Sequence, residues 1–319
     1  MRVVIYDGYA ASPGDLSWDG WKEIGDVTIY DRTAPDEVVR RGQDAEIVIT
    51  NKVVIDRDKM SRMPRLRYIG VLATGYNIVD IEAARERGIV VTNIPAYSTM
   101  SVAQMVFAHL LDVVNNVGGH TRSVHSGEWQ RADDFSYRLT SQYELAGKTM
   151  GIVGLGNIGM QVARVAGAFG MNVLAFTSKP AEALPSGIVK AADMDEIFRN
   201  SDVVSLHCPL TADTRNIVNE RTIGLMRPTA ILINTGRGPL VDEAALAKAL
   251  REHRILAAGV DVLNEEPPRH GSPLIGLENC RITPHIAWAT LEARKRLMRV
   301  ALDNVLAFMN GNPQNVVNG

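Results

Sequence analysis

The sequence predicts an α/β protein with two domains, each built on a parallel sheet. Its 319 residues are enough for two hydrophobic cores. Short runs rich in Val and Ile end in Gly, Asp or Asn and are followed by segments of helical period. Strands that are apolar throughout and separated by helices are typical of parallel sheets covered on both faces. This rhythm starts twice along the chain, so we expect two sheets.

The predicted strands form two series. The first is RVVIYD, DVTIYD, EIVIT, RYIGVL and IVVTNI, with helix-like APDEVVRRG and DIEAARERG; the second is KTMGIVGLG, NVLAFT, DVVSLHCP, AILINTG, AAGVDVL and RITPHI. One long helix is predicted between them, in STMSVAQMVFAHLLDVVNNVGGHTRSVHSGEW, and another in LEARKRLMRVALDNVLAFMNG. We expect the last helix to return to the first domain, which then comprises residues 1–97 and 289–319. The second domain comprises residues 98–288.

Composition argues against several classes of function. Hydrophobic residues make up 46% of the chain and charged residues 22%, with a net charge of -2 and no basic block. Nucleic acids and anionic membranes are bound through clustered Lys and Arg, so neither is an expected partner. No run approaches the roughly 18 apolar residues of a membrane span, and MRVVIYDGYAAS lacks the apolar stretch of a signal peptide. The 2 cysteines show no disulfide pattern, so we expect a cytoplasmic protein, and we expect no metal.

A glycine-rich turn follows the first strand of the second series. Gly154, Gly156 and Gly159 form G-x-G-x-x-G between a predicted strand and a predicted helix. The first glycine allows the tight turn, the second lets backbone approach a pyrophosphate, and the third permits close packing of helix on strand. The phosphates would meet free N–H groups of the helix that begins at Asn157 and Ile158. Any tight strand–helix turn could contain such glycines, but the flanking elements favour dinucleotide binding.

The next strand ends without an acidic residue. A carboxylate about 20 positions on usually holds the ribose 2′-hydroxyl of NAD, but Thr177, Ser178 and Lys179 occupy this place. Two hydroxyls and a cation suit a 2′-phosphate at least as well, although Lys179 could be an ordinary solvated residue. The sequence therefore favours NADP over NAD, as a preference and not an exclusion.

With these segments in order, the chain resembles the D-isomer-specific 2-hydroxyacid dehydrogenases over essentially its whole length. The motifs concerned are GLGNIG, LHCPLTADTRNIVN, INTGRGPLVDE, GVDVLNEEPP and TPHIAWAT. The resemblance implies two Rossmann-like domains, a doubly wound dinucleotide-binding domain and a smaller flavodoxin-like substrate domain. It also implies an active site of Arg237 from the GRG turn, Glu266 from the glutamate before proline, and His285 from TPH.

The chemistry of a 2-oxo acid supports these roles. Its carboxylate adjoins the carbonyl that accepts hydride, and the planar guanidinium of Arg237 can bridge the two groups. His285 as imidazolium can give a proton to the carbonyl oxygen and take it back in reverse, while Glu266 would orient the ring and favour its charged form. Plainer interpretations are a surface arginine, a structural histidine and a polar turn in NEEPP, where Glu265 adjoins Glu266.

Other site residues are implied by the resemblance. The substrate carboxylate would bind the backbone of Ala73, Thr74 and Gly75, and Asp261 would accept from the nicotinamide carboxamide. Further cofactor contacts are expected from Thr74, Cys208, Pro209, Thr214, Thr235, Gly236, His285 and Ala287. Cys208 as a nucleophile is an alternative, but only His207 is near it as a base. Trp288, Tyr97 and the segment RADDFSYRLTSQY could shape the pocket.

The segments VLATGYNIVD, NIPAYST and the WA after the histidine are most similar to the hydroxypyruvate reductase or glycerate dehydrogenase branch. We therefore expect NAD(P)-dependent reduction of hydroxypyruvate to D-glycerate, and the reverse. Reduction of glyoxylate or another short 2-oxo acid is the alternative. A phosphoglycerate dehydrogenase is less expected, because many members of that kind add a C-terminal regulatory domain that this sequence does not show. A nucleotide-sensing corepressor is the alternative from another class. Formate dehydrogenases pair the histidine with glutamine, so Glu266 argues against them.

We also expect a homodimer through the long helix. Apolar residues cover more than one of its faces at helical spacing, and the resembled family is commonly dimeric through this region. These residues are Val102, Met105, Val106, Leu110, Val113 and Val114. A central helix of one domain would show the same pattern.

Overall fold

The computed structural model describes all residues from 1 to 319. By its contacts the chain divides into two compact units, Met1–Ser98 with Ala289–Gly319, and Thr99–Trp288. All strand pairs of the two sheets are parallel, so the predicted α/β class is confirmed. No helix has both the length and the hydropathy needed to cross a membrane.

The strands and helices are numbered in chain order. The strands are β1 (Arg2–Ile5), β2 (Asp26–Ile29), β3 (Ile47–Thr50), β4 (Tyr68–Val71), β5 (Val90–Thr92), β6 (Thr149–Val153), β7 (Asn172–Phe176), β8 (Ile188–Lys190), β9 (Val203–Leu206), β10 (Ile231–Asn234), β11 (Ala257–Val260) and β12 (Cys280–Ile282). The helices are α1 (Gly8–Ala11), α2 (Asp19–Lys22), α3 (Val38–Gly42), α4 (Arg57–Ser61), α5 (Ile81–Glu86), α6 (Thr99–Asn115), α7 (Val117–His125), α8 (Asn157–Ala168), α9 (Met194–Asn200), α10 (Glu220–Ile223), α11 (Glu243–Arg251) and α12 (Leu291–Met309). Short 3-10 turns lie at Trp129–Arg131, Ala181–Ala183 and Gly238–Leu240.

The first unit is a five-stranded sheet in the order β2-β1-β3-β4-β5. This is the strand order of flavodoxin-like sheets, as predicted for the smaller domain. Its strands β3 and β4 are buried throughout, as expected of a parallel sheet covered on both faces. The C-terminal helix α12 packs against β4, where the Phe308 ring lies 4.8 Å from that of Tyr68.

The second unit is a seven-stranded sheet in the order β12-β11-β10-β9-β6-β7-β8. The chain runs outward from β6 to β8 and then returns to β9, so the strand order reverses between β6 and β9. Doubly wound sheets bind ligands at the carboxyl ends of their strands near such a reversal. Alternate residues of the central strands enter different cores, with Leu232 in one and Ile231 and Ile233 in the other.

Two elements of the second unit differ from the prediction. The long helix is broken, because Asn116 between α6 and α7 has φ 46°, a left-handed conformation that Asn tolerates better than most residues. Strand β8 was not predicted. It has three residues and a mostly exposed pattern, and its pairing is with β7, so it carries no apolar run by which to recognise it.

Candidate active site

The predicted site residues of the second unit follow the carboxyl ends of six of its strands. In chain order, these strands lead to Gly154 after β6, Thr177 after β7, Cys208 after β9, Arg237 after β10, Asp261 and Glu266 after β11, and His285 after β12. Because the strands are parallel and adjacent, these residues lie along one edge of the sheet, where α/β proteins bind ligands.

Arg237 is exposed on a turn that two neighbours hold in place. The buried amide of Asn234 accepts from Gly236 N at 3.0 Å and donates to Arg237 O at 2.9 Å. A Cβ on Gly238 would lie 2.0 Å from Leu263 O, so only glycine lets the two backbones approach this closely. The guanidinium donates to Gly236 O through Nη1. The backbone of Arg237 is therefore held in place, and the guanidinium has further N–H groups that can bind an anion.

Glu266 and His285 form a pair between the segments that follow β11 and β12. Glu266 Oε2 lies 2.5 Å from His285 Nδ1, and Glu266 Oε1 accepts from Leu263 N at 3.0 Å. Both side chains are partly exposed, the imidazole by 24%. Glu265 instead lies 2.8 Å from His270 Nδ1, so the structure pairs His285 with Glu266 and not with its neighbour.

Asp261 holds the turn that carries His285. Its main-chain carbonyl accepts from His285 N at 2.7 Å, and its carboxylate accepts from Ile286 N at 2.9 Å and Ala287 N at 2.8 Å. His285 has φ 54°, the left-handed conformation, which side chains rarely adopt without support. Asp261 is 0% exposed, and its hydrogen bonds hold this turn. Its role as carboxamide acceptor stays a prediction.

The glycine-rich loop fits a dinucleotide. Gly154 has φ 95°, and a Cβ on it would lie 2.6 Å from Cys208 N. A Cβ on Gly159 would lie 2.2 Å from Gly154 O, whereas one on Gly156 would meet no protein atom within 4 Å. The middle glycine therefore faces open space at the start of α8. That helix has no side-chain cap, so the N–H groups of Asn157 and Ile158 are available to phosphate.

A buried hydroxyl at the same edge lacks a partner. Thr235 Oγ1 is buried without a hydrogen bond, although such groups are nearly always satisfied. Because Thr235 directly precedes the Arg237 turn, a bound cofactor or substrate could satisfy it. This orphaned atom supports the placement of Thr235 and Gly236 among the cofactor contacts.

The strip after β9 fits a binding role better than nucleophilic chemistry. Burial raises the pKa of the Cys208 thiol and lowers the pKa of His207 to about 4. His207 Nε2 bonds Ser205 Oγ at 2.8 Å, so it is turned to the hydroxyl of its own strand. Thr214 Oγ1 donates to Pro209 O at 2.7 Å and so closes the loop that was expected beside the cofactor.

A second cation, which sequence reasoning missed, is bonded to the loop after β7. Lys190, on β8, donates from Nζ to Lys179 O at 2.7 Å, and Lys179 N donates to Thr177 Oγ1 at 3.3 Å. Lys190 was missed because β8 was not recognised as a strand beside β7. Asn234, which shapes the Arg237 turn, was missed because its side chain bonds only backbone.

The remaining predicted residues have no contact in the structure that tests their expected roles. Ala73, Thr74 and Gly75 follow β4 in the first unit, where Thr74 Oγ1 donates to Ile94 O at 2.9 Å. Tyr97 also belongs to the first unit and Trp288 to the second. Their roles at the substrate, and that of residues 131–143, stay predictions.

Comparison with known families identifies the chain. The family model described as "D-isomer specific 2-hydroxyacid dehydrogenase, NAD binding domain" matches residues 107–287. The chain belongs to this family. It is therefore an oxidoreductase that uses a nicotinamide cofactor, as the glycine loop and its surroundings predicted.

Relatives of this dehydrogenase agree with the predicted branch. It is 44% identical to a hydroxypyruvate reductase of Blautia hydrogenotrophica over 321 residues, 100% of both chains. It is 42% identical to a glycerate dehydrogenase of Methylorubrum extorquens over 291 residues, 90% of both chains. Among solved structures, an acyclic imino acid reductase in complex with NADPH and D-Arg is similar, with a TM-score of 0.86, 32% identity, and coverage of 99% of this chain and 100% of the other.

We predict that Gly156→Ala weakens cofactor binding and leaves folding intact. The added methyl group meets no protein atom but would occupy the space expected of the pyrophosphate. The dissociation constant for NAD(P)H, measured by fluorescence titration, should rise at least about tenfold, with an unchanged melting temperature. Gly167→Ala is the matched control, because it lies near the end of the same helix and also in open space. Unchanged cofactor affinity in Gly156→Ala would contradict this placement of the phosphates.

Proposed function

We propose that this dehydrogenase reduces hydroxypyruvate to D-glycerate, and catalyses the reverse reaction, with NADP or NAD. The observation that carries the proposal is the His285–Glu266 pair of 2.5 Å, at the same sheet edge as an exposed arginine on a rigid turn. The names of two relatives, a hydroxypyruvate reductase and a glycerate dehydrogenase, support the choice of substrate.

His285 serves as the acid in reduction and the base in oxidation. Its Nδ1 is occupied by Glu266, which leaves Nε2 to hold a proton towards the carbonyl oxygen of the substrate. The carboxylate of Glu266 accepts from Nδ1 and fixes the plane of the ring. Such proton transfer typically contributes about 10² to 10⁴ in rate. The nicotinamide cofactor supplies or accepts the hydride.

Arg237 holds the substrate. Its exposed guanidinium can take the carboxylate in a bidentate arrangement and direct a further N–H at the adjacent carbonyl oxygen, where negative charge develops. The turn is held by Asn234 and by the close approach of Gly238 to Leu263, so little ordering is needed on binding.

Turnover measurements test the function directly. We expect the kcat/KM for hydroxypyruvate to exceed that for glyoxylate, and His285→Asn to lose most of kcat. A higher kcat/KM for glyoxylate would instead assign the protein to the alternative reductase class. Binding of NAD(P)H without turnover of any 2-oxo acid would support a nucleotide-sensing protein and contradict the proposal.

Both cysteines are free thiols, which supports the cytoplasm as the proposed location, since a reducing compartment keeps thiols unpaired.

We predict that Arg237→Lys damages turnover far more than cofactor binding. A lysine offers a point charge and cannot reproduce the bidentate fork, so kcat/KM for hydroxypyruvate should fall about 100-fold, the loss of a few kcal/mol. Arg227→Lys is the control, because Arg227 pairs with Asp202 next to the amino ends of the strands. A kcat/KM of Arg237→Lys within about threefold of the parent value would refute the assigned role.

We propose further that NADPH is used at least as well as NADH. No carboxylate stands directly after β7, where Thr177, Ser178 and Lys179 follow, to repel a 2′-phosphate. Thr177 and Ser178 offer hydroxyls there, and the loop carries Lys179 with Lys190 bonded to its backbone. We expect these two lysines to place two positive charges near the ribose 2′-oxygen.

We predict that Lys179→Ala weakens NADPH selectively. An exposed lysine contributes at most about 1 kcal/mol, so kcat/KM for NADPH should fall about fivefold at moderate salt and that for NADH should stay unchanged. Lys248→Ala is the control, since Lys248 is an exposed lysine paired with Glu220 on the same unit. A tenfold preference for NADH in the parent enzyme would refute the cofactor proposal.

We propose a homodimer, formed through the segment that follows α6 and not through the apolar faces of α6 itself. Four of the six apolar positions of α6, Val102, Val106, Leu110 and Val114, are already buried in the single chain, so their pattern reflects a central helix. The segment that follows α6 exposes a group of large apolar residues, which in a monomer would face water. These residues are Val117, Val124, Trp129, Phe135, Leu139 and Tyr143, with Phe135 91% exposed.

We predict a dimeric mass at micromolar concentration by sedimentation. Phe135→Asp combined with Leu139→Asp should shift the protein towards monomer, because two charges would enter an apolar interface. Val189→Asp, which places the same charge on an exposed apolar residue of β8, should leave the mass unchanged. A monomeric parent protein would overturn the proposal.

A further inference from the structure

A histidine on α6 is connected by hydrogen-bonded side chains to the turn that carries His285. His109 is 4% exposed, and its Nε2 lies 3.0 Å from Thr283 Oγ1, 174 residues away in the sequence. Thr283 Oγ1 in turn donates to Asp261 Oδ1 at 2.6 Å. The same Asp261 accepts N–H groups of the turn that carries His285. His109, Thr283 and Asp261 therefore form one continuous chain of hydrogen bonds.

The direction of these hydrogen bonds follows from the charge of Asp261. Its carboxylate is the strongest acceptor within reach of the Thr283 hydroxyl, so that hydroxyl gives its one proton to Asp261. Thr283 Oγ1 must then accept from His109, which places a proton on Nε2 of a neutral ring. Burial lowers the pKa of His109, while the charges of Asp261 and Asp112 oppose this effect. The arrangement needs a proton on Nε2, and burial favours the neutral ring that carries it there.

A second contact holds α6 and β12 in register. Arg281 Nε donates to Asp112 Oδ2 at 2.6 Å. Asp112 lies three residues after His109 on one face of the helix, and Arg281 lies two residues before Thr283 on one face of the strand segment. The helix therefore contacts the segment that leads to His285 at two places, Arg281 and Thr283.

A histidine is an unusual residue at this buried position of α6. It lies within VFAHLL, on the face of α6 that packs against β11, where a Cβ on Gly259 would lie 2.7 Å from the Cβ of His109. An apolar residue would be the ordinary choice there. An imidazole at this place costs desolvation, and its contact with Thr283 is the interaction that offsets this cost.

We propose that His109 is a positioning residue for the acid–base step, acting through Thr283 and Asp261 to hold His285 in its left-handed turn. The proposal rests on the proposed role of His285. If His109 is lost, Thr283 can turn away from Asp261, the Asp261 carboxylate gains freedom, and the turn from His285 to Ala287 loosens. His109 does not touch the reacting atoms, so its loss should lower kcat through the turn that carries His285.

The test uses four single variants of the full-length protein. His109→Leu removes the donor, Thr283→Val removes the central hydroxyl, and His109→Gln retains an N–H at about the same reach. Val106→Ala is the control, because Val106 is fully buried on the same helix and makes only apolar contacts. We expect kcat to fall about tenfold or more in His109→Leu and Thr283→Val, and to stay within about threefold of the parent in His109→Gln and Val106→Ala.

Two further measurements separate positioning from general loss of stability. The double variant His109→Leu/Thr283→Val should lose no more kcat than Thr283→Val alone, because both changes break the same chain. Amide hydrogen exchange of the segment 283–288 should be faster in His109→Leu than in Val106→Ala. Parent-like kcat in His109→Leu, additive losses in the double variant, or parent-like exchange of the segment would each overturn the proposal.

The outcome can be told apart from failure of the proposed function. If the parent protein turns over no 2-oxo acid, or if His285→Asn keeps its kcat, the proposed function fails. Hydrogen exchange still decides whether His109 holds the turn in that case, since it needs no turnover. If the parent is active and depends on His285 while His109→Leu is unaffected, only the positioning role is wrong.

Discussion

The site depends above all on Asp261 and the three consecutive N–H groups that it accepts. The carbonyl and the carboxylate of this one residue bond the backbone of His285, Ile286 and Ala287. A left-handed residue that is not glycine costs about 1–3 kcal/mol unless its surroundings impose it. Three hydrogen bonds, two of them to a buried charge, are enough to impose it. The backbone that carries the imidazole is therefore fixed before any ligand arrives, and Glu266 then orients the ring.

Backbone contacts of a single segment, the one that follows β11, also position Glu266 and Arg237. The glycine of the arginine turn touches Leu263 O, and the N–H of Leu263 binds the carboxylate of Glu266. Asn264 N is bound in turn by the nearly buried Glu243 of α11 at 2.6 Å. One short segment after β11 therefore carries the glutamate and also limits the space open to the arginine turn. A change at Gly238 would displace both charged groups together.

The sequence could predict those parts of the molecule that local pattern determines. The apolar strands, the two sheets and the glycine loop depend on residues close together in the chain, and the motifs placed Arg237, Glu266 and His285 at strand ends. Pairings across long distances were out of reach. His109 and Thr283 are 174 residues apart, and nothing in VFAHLL distinguishes a hydrogen-bonded histidine from a packed one. Lys190 and the break at Asn116 were missed because short strands and single left-handed residues leave no periodic signal.

The position of α6 connects the catalytic turn with the surface proposed for assembly. Its C-terminal part carries His109 and Asp112, which hold β12, and the exposed apolar segment begins two residues after its end, at Val117. An interface built on that segment would restrain the end of α6, and with it the two contacts that grip β12. A helix tied at both places has less freedom to slide along the sheet. Dimer formation and the geometry of His285 would then be coupled through one helix, without any residue of the interface reaching the substrate.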